Sequence, residues 1–363
     1  MKVIVAMGHP AHFHLFKNFI SRFIKAGNEA KIVVTDKDIL KSLLIESNFD
    51  FEILAKKENH ETLFKKGMKI IRSSIALKKV INKFHPDIII GSISQIAYST
   101  FFTNIPSLFF GEDDINYTFL QGIITYPFIS KVVAPVNTKV SFFYKKKISY
   151  PGYQKLAYLH PNCFIPNYEV LAKNDIIKPY FLIRIVGLEA YHDKSKGGIT
   201  SEVLDIIIKQ LLPHGYVYIS SENKLPDKYS MYKLRSETKD IHHILAFSKL
   251  LIGDSQSMAV EAAMLGTPSI RFNNFAGRIS VLEELENKYG LTFGIKATEP
   301  HLLFNKIDEF INNPKLKKEF EARRLKMISD KIDVTAFILW FIINYPLSKE
   351  LINNNVEFWS SFK

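Results

Sequence analysis

The sequence predicts an α/β protein built from two doubly wound halves, each a parallel sheet covered by helices. Three observations carry this reading. Short apolar runs alternate with helical patterns through the first third of the 363-residue chain. The alternation breaks between about Lys145 and Asn174, where Pro151, Pro161 and Pro166 fall. It starts again at Tyr180.

The elements follow in order. Val3–Met7 is an apolar run ending in Gly-His-Pro, which suits a buried parallel strand. Phe13, Phe16, Ile20, Phe23 and Ile24 recur at helical spacing, and Gly27 ends the pattern. Ala30–Thr35 reads as a strand, Ile39–Asn48 as a helix and Phe51–Leu54 as a third strand. Thr62–Phe84 is a long basic amphipathic helix closed by Pro86. Ile88–Ile90, Ser107–Phe110 and Lys131–Ala134 are the next strands. In the second half, Tyr180–Val186, Tyr216–Ser220, Leu250–Ile252 and Ser269–Phe272 read as strands. Glu202–Leu212, Ile241–Phe247 and Met258–Leu265 read as the helices between them, and the chain is helical from about Lys315, broken at Pro346. The expected division is a first domain over 1–160, a second over 161–330, and a helical tail over 331–363 that packs back across both. In such sheets ligands bind beyond the carboxyl ends of the strands, so informative residues should follow strands directly.

Composition narrows the classes. A hydrophobic fraction of 47% and a charged fraction of 23% exclude a disordered chain. The net charge of +12 favours anionic partners. The run Lys145, Lys146, Lys147 is read as a solvated loop or strand end, with contact to a membrane or anionic acceptor as the sharper alternative. A single cysteine, Cys163, allows no internal disulfide. The N-terminus reads as a buried strand rather than a leader. No apolar run approaches the roughly 20 residues of a membrane helix, and Phe337–Ile343 is far too short. A cytoplasmic protein is expected, with peripheral contact at the inner membrane face left open and no nucleic-acid partner.

Four segments carry chemistry. The first is Gly253-Asp254-Ser255-Gln256-Ser257-Met258, between a strand and a helix that ends at Gly266. Small polar residues there leave helix-start amides open to a phosphate. Glu261, about one turn on, can accept hydrogen bonds from vicinal hydroxyls of a ribose. The plainer reading is an ordinary helix capped by Asp254 or Ser255. The second is Gly8-His9-Pro10-Ala11-His12-Phe13-His14. Gly8 permits a tight exit from the strand and belongs with the substrate pocket. His9 and His12 could serve as a general base or polarise a hydroxyl, His14 less so. Capping is the plainer role, and the spacing is not that of a zinc site, so no metal is expected. The third is Glu112-Asp113-Asp114, after an apolar strand. Three successive acids are not expected in a core, and Glu112 or Asp113 could be a catalytic base. The plainer role is a solvated turn, or Asp114 capping a helix over Ile115–Leu120. The fourth is Arg184, with His192 and Asp193 in the loop Gly187–Gly198, and Ser220, Ser221 and Glu222 after the next strand. Arg184 offers a forked donor for phosphate, with an interface salt bridge as its plainer role. His242 and His243 fit either a nucleobase contact or packing.

Here a resemblance enters. The Gly253–Gly266 stretch resembles the donor-nucleotide segment of GT-B glycosyltransferases and of the UDP-N-acetylglucosamine 2-epimerase superfamily. Ser255 and Glu261 match its turn-to-glutamate spacing. Asp254 to Ser257 depart from the Ser-Gly-Gly common in relatives, which places an unexplained acid beside the phosphate site. A broader resemblance spans nearly the whole chain. GHPAHFHLFKN, PGYQKLAYL, HDKSKGG, ISSENKLP, DIHHILAFSKLLIGDS and IDVTAFILWFI together resemble an uncharacterised prokaryotic family of predicted GT-B-like glycosyltransferases. The resemblance implies two Rossmann-like domains facing a central cleft. It also implies that Glu112 or Asp113 stands near the position of a 2-epimerase glutamate that takes part in proton chemistry.

The reading that follows is a metal-independent glycosyltransferase acting in surface glycan biosynthesis. It needs no cofactor, uses a nucleotide sugar (possible UDP-linked) as substrate, and takes a glycan or lipid-linked hydroxyl as acceptor. The alternatives are a hydrolysing nucleotide-sugar 2-epimerase or hydrolase, and a non-catalytic nucleotide-sugar or polyanion binder. No P-loop, zinc-finger spacing, Gly-x-Ser-x-Gly elbow or dinucleotide fingerprint is present.

Overall fold

A computed structural model describes residues 1–36, 38–55, 63–186, 198–221, 223–352 and 356–363. The chain forms two compact units, Met1–Cys163 with Lys331–Lys363, and Phe164–Asp330.

The first unit is built on seven parallel strands. In chain order they are β1 (Lys2–Met7), β2 (Glu29–Thr35), β3 (Phe51–Ala55), β4 (Ile88–Gly91), β5 (Ser107–Phe110), β6 (Lys131–Pro135) and β7 (Lys147–Tyr150). Their order across the sheet is β3-β2-β1-β4-β5-β6-β7. Val3 to Met7 and Ile88 to Ile90 are wholly buried, as continuous apolar runs in a parallel sheet should be. β1 and β4 pair with Ala6 opposite Gly91. A Cβ on Gly91 would lie 2.4 Å from the Ala6 carbonyl oxygen, so only glycine fits. Helix Pro10–Lys25 buries Phe13, Phe16, Ile20 and Phe23, as its spacing predicts, together with Phe19, whereas Ile24 is exposed.

Among the elements of this unit that depart from the sequence reading are β7 and a short helix. β7 lies inside the stretch where the alternation breaks. It is short and at the sheet edge, with half of its residues only partly buried, so its pattern is faint. Helix Gln95–Thr100 is also new; it has only six residues, too few to show a period.

The tail belongs to the first unit. Asp333 caps helix Val334–Ile343 by accepting the Ala336 N–H at 3.0 Å. The Thr335 hydroxyl donates to the Ala157 carbonyl at 2.6 Å. Phe337, Ile338, Phe341 and Ile342 have no exposed surface. The Phe337 ring sits 5.4 Å from Tyr150 and 5.8 Å from Phe362. The most apolar run of the chain is therefore core, and no helix among the described residues is long and apolar enough to cross a membrane.

The second unit holds five parallel strands: β8 (Tyr180–Ile185), β9 (Tyr216–Ser221), β10 (Leu251–Gly253), β11 (Ser269–Phe272) and β12 (Phe293–Ile295). Their order is β12-β11-β10-β8-β9. The three-residue β12 and helices Ser280–Asn287 and Pro300–Ile311 complete a winding that the sequence left open after Phe272. A strand of three residues is too short to carry a readable pattern.

The tail packing is testable. Phe337→Ala should cost about 3–5 kcal/mol in urea unfolding, as expected for an aromatic side chain removed from a closed core. A loss under about 1 kcal/mol would mean that the tail is not integral to the unit.

Candidate functional site

In the second unit, Arg184, Ser220 and Gly253 lie at one level, because Arg184 pairs with both of the others across the sheet. A Cβ on Gly253 would come 2.4 Å from the Arg184 carbonyl oxygen, so the strand exit must be bare. Arg184 Nη1 donates to Ser220 Oγ at 2.9 Å. That contact lies within the unit.

Asp254 now has an explanation. Its Oδ1 accepts the Val186 N–H at 2.8 Å, its own N–H reaches the Arg184 carbonyl at 3.2 Å, and its carbonyl accepts Asn273 Nδ2 at 3.1 Å. One residue thus ties together the ends of β8, β10 and β11. One oxygen of the acid expected beside a phosphate is held by backbone.

Ser255 is the cap of helix Gln256–Leu265, and its Oγ accepts the Met258 N–H at 3.3 Å. The Met258 side chain lies in a core cluster with Leu182, Leu245 and Leu251. With its amide held by Ser255 as well, Met258 is a packing residue rather than a nucleotide contact. The amides of Gln256 and Ser257 belong to the first helical turn, which has no intrahelical partners, and the helix dipole adds positive potential there. Ser257 is exposed. Gly266 closes the helix in the left-handed region at φ 72°.

Glu261 is partly buried, and its Oε1 lies 3.3 Å from Nε2 of the buried His242. His243 accepts the Asn167 N–H through Nδ1 at 2.9 Å, and its ring lies 4.6 Å from Phe164. His192, Asp193 and Glu222 lie outside the described residues.

The sequence missed a buried network behind the helix start. Arg271 is wholly buried on β11. Its Nη2 contacts Glu286 Oε2 at 2.5 Å, and Glu286 also accepts the Gly294 N–H at 3.0 Å. Its Nη1 reaches Gln256 Oε1 at 3.3 Å, while Gln256 Nε2 is buried without a partner. Burial lowers the Arg271 pKa and Glu286 opposes that shift. One signal was available: a charged residue interrupts the apolar run Ser269–Phe272.

In the first unit, a Cβ on Gly8 would lie 2.7 Å from Ile93 Cγ2. Close packing, more than turn geometry, requires the glycine. His9 caps helix Pro10–Lys25, and its Nδ1 accepts the Ala11 N–H at 3.1 Å. His12 Nδ1 accepts the Gly8 N–H at 3.0 Å. A neutral imidazole whose Nδ1 accepts must carry its proton on Nε2. Both rings therefore present donors, suited to polarising an oxygen and poorly suited to removing a proton.

The acidic triplet also differs from expectation. Asp114 is buried and Glu112 partly buried. Glu112 Oε2 meets Lys155 Nζ at 2.7 Å and Oε1 accepts the Gln154 N–H at 2.6 Å. Asp114 accepts the Lys139 N–H at 2.8 Å and caps no helix over Ile115–Leu120; the next helix starts at Phe119. Acids enter this core because charge and hydrogen bonds meet them there. Asp113 is exposed as a residue, but desolvation of its carboxyl pushes it above the usual carboxylate range; Lys155 opposes the shift, and Glu112 and Asp114 add to it. Burial and the nearby Asp113 raise the Tyr126 phenol to about 12. Of the four candidate catalytic groups, Asp113 is the one whose chemistry the fold leaves uncommitted.

Two outcomes test these assignments. Glu112→Gln, which removes one charge of a buried pair, should cost about 3–5 kcal/mol, and adding Lys155→Met should restore much of it in a urea-unfolding cycle. For Asp113 the folded pKa is raised, so its stabilising contribution is full below the ordinary carboxylate range and is lost as pH rises through the raised value. Asp113→Asn should therefore raise Tm near neutral pH, and the gain should vanish at about pH 3. An equal gain at both pH values would contradict this.

Comparison with known proteins now places the chain. The family described as a protein of unknown function, DUF354, matches residues 1–334. An uncharacterised protein of Methanocaldococcus jannaschii is 24% identical over 283 residues, which is 74% of this chain and 81% of that protein. A crystal structure of UDP-GlcNAc 2-epimerase from Neisseria meningitidis bound to UDP-GlcNAc superposes with a TM-score of 0.67 at 15% identity, covering 94% of this chain and all of that one (100%). A glycosyltransferase from Rickettsia africae superposes at 0.58 with 14% identity, covering 98% of this chain and 99% of that one. At these identities the likeness establishes the fold, which is that of GT-B enzymes with Rossmann-like parallel sheets. The chain belongs to the DUF354 family.

Proposed function

We propose that this protein is a GT-B-type glycosyltransferase that moves a sugar from a nucleotide diphosphate, with UDP the favoured carrier, to a hydroxyl acceptor. The observation that carries the proposal is the β10-to-helix exit. A glycine that admits no side chain, a serine cap and two first-turn amides follow the end of a parallel strand. That arrangement receives a diphosphate. Glu261 accepts hydrogen bonds from the ribose, and His242 beside it keeps that carboxylate oriented. Arg184 and Ser220 add donors at the same level of the sheet.

The chemistry follows from these roles. Asp113 takes the proton of the acceptor hydroxyl while its oxygen bonds to the anomeric carbon. The bond from that carbon to the diphosphate breaks, and the electron pair leaves with the diphosphate. The helix-start amides stabilise the departing charge, so the reaction needs neither a metal nor a cofactor. His9 and His12, as Nε2–H donors, polarise sugar or acceptor oxygens. The acceptor is a glycan or lipid-linked hydroxyl, the setting is surface glycan assembly, and the protein works in the cytoplasm.

A second reading, a hydrolysing nucleotide-sugar 2-epimerase, is favoured by one feature. A carboxyl with raised proton affinity, as at Asp113, also suits proton removal from the sugar carbon itself. Incubation with UDP-GlcNAc alone separates the two, because UDP release without any acceptor supports the epimerase and an intact donor supports the transferase.

Binding gives the direct check. UDP should raise Tm, since a ligand of the native state stabilises it. Glu261→Gln should weaken UDP about tenfold. Asp113→Asn should leave binding intact and slow turnover by roughly 10²–10⁴. If a panel of nucleotides produces no shift in Tm, the nucleotide site is wrongly assigned; binding without turnover of any donor would leave a non-catalytic binder.

A further inference from the structure

We propose that the face of the first unit carrying Phe101, Phe102, Phe128, Phe142 and Tyr144 docks onto an anionic lipid bilayer. Among the described residues, eight of the eleven exposed aromatic side chains fall between Tyr98 and Tyr144. Exposed apolar residues scattered singly need no explanation, but such a concentration does. Phe102 is 84% exposed and Phe142 70%.

The rings form two groups. Phe102 lies 4.7 Å from Phe101, Phe101 lies 5.2 Å from Phe128, and Phe128 lies 5.6 Å from Tyr98. Phe142 lies 5.6 Å from Phe143, which lies 5.6 Å from Tyr126. The short turn Tyr126–Phe128 joins the two groups. Lys146 Nζ secures that turn, donating to the Tyr126, Pro127 and Ile129 carbonyls at 3.0, 2.6 and 2.8 Å. Lys147 similarly holds the Val136 and Thr138 carbonyls. Two lysines of the run are thus ties that fix the aromatic segments, and Lys145 remains exposed.

Charge identifies the occupant. From Ile115 to Tyr168 the sequence has six lysines and no acid, with Lys155 buried against Glu112, and from Ile88 to Gly111 it has no charged residue. Next to Tyr144 a cavity of about 400 Å³ is lined by Lys139, Ser141 and Lys147, a donor set that suits a headgroup phosphate. Aromatic rings that enter the headgroup boundary, beside lysines that meet anionic lipid, are the pattern of interfacial binding. A protein partner would have to supply every carboxylate itself.

Co-sedimentation of the full chain with vesicles tests this. Vesicles of phosphatidylcholine with one part in four of phosphatidylglycerol should bind it, pure phosphatidylcholine should bind it weakly, and salt should release it. Phe102→Ser with Phe142→Ser should lower the partition coefficient at least tenfold. Lys139→Glu with Lys145→Glu should abolish the preference for anionic vesicles. Phe275→Ser, an exposed aromatic of the other unit, should change nothing. Circular dichroism and Tm establish that each variant is folded. No binding to the anionic vesicles, or unchanged binding by the Phe102/Phe142 variant, overturns the proposal. So does concentration-dependent self-association that this variant loses, because the face would then belong to a second copy.

Discussion

The second unit depends on the close approach of backbones where β8, β10 and β11 end. Gly253 lies against the Arg184 carbonyl with no room for a side chain. Asp254 then bonds backbone at Val186 and Arg184 and accepts from Asn273. The carboxylate takes the Val186 N–H in a charge-assisted bond, and the Asp254 backbone takes the other two. The helix start that follows is therefore set by three strand ends together. Its free amides can wait, already oriented, for an anion, which is the condition under which electrostatic stabilisation of a leaving group is effective.

The first unit follows a similar logic with different groups. Glu112 and Lys155 neutralise one another inside the fold, and the Gln154 N–H completes the Glu112 carboxylate. Asp113 stands beside this satisfied network but is not part of it. A cost of desolvation borne by one residue while its neighbours are paired is the usual mark of a reactive carboxyl. The two histidines after β1 are held with their Nδ1 atoms on backbone amides. On the proposed function, that makes them donors and leaves proton removal to Asp113.

Much of this was legible in the sequence. Alternating apolar runs and helical stripes located β1 to β6 and β8 to β11, because buried parallel strands leave continuous apolar runs. The turn at Gly253, the Ser255 cap and the Gly266 stop are local chemistry, so they could be read locally. What escaped was non-local or too short. β7 and β12 are brief strands whose burial is set by neighbours distant in sequence. The Arg271–Glu286–Gln256 network joins residues from three elements. Glu112 looked like a surface acid because Lys155, its partner, lies 43 positions away. Asp254 looked like a ligand contact because the Val186 amide it holds lies 68 positions before it.

The central claim is that helix Gln256–Leu265 begins at a diphosphate site. A crystal structure of the protein with UDP tests it most directly. The account predicts the diphosphate at the amides of Gln256 and Ser257 and the ribose hydroxyls on the Glu261 carboxylate. UDP bound elsewhere in the unit, with those amides untouched, would contradict it.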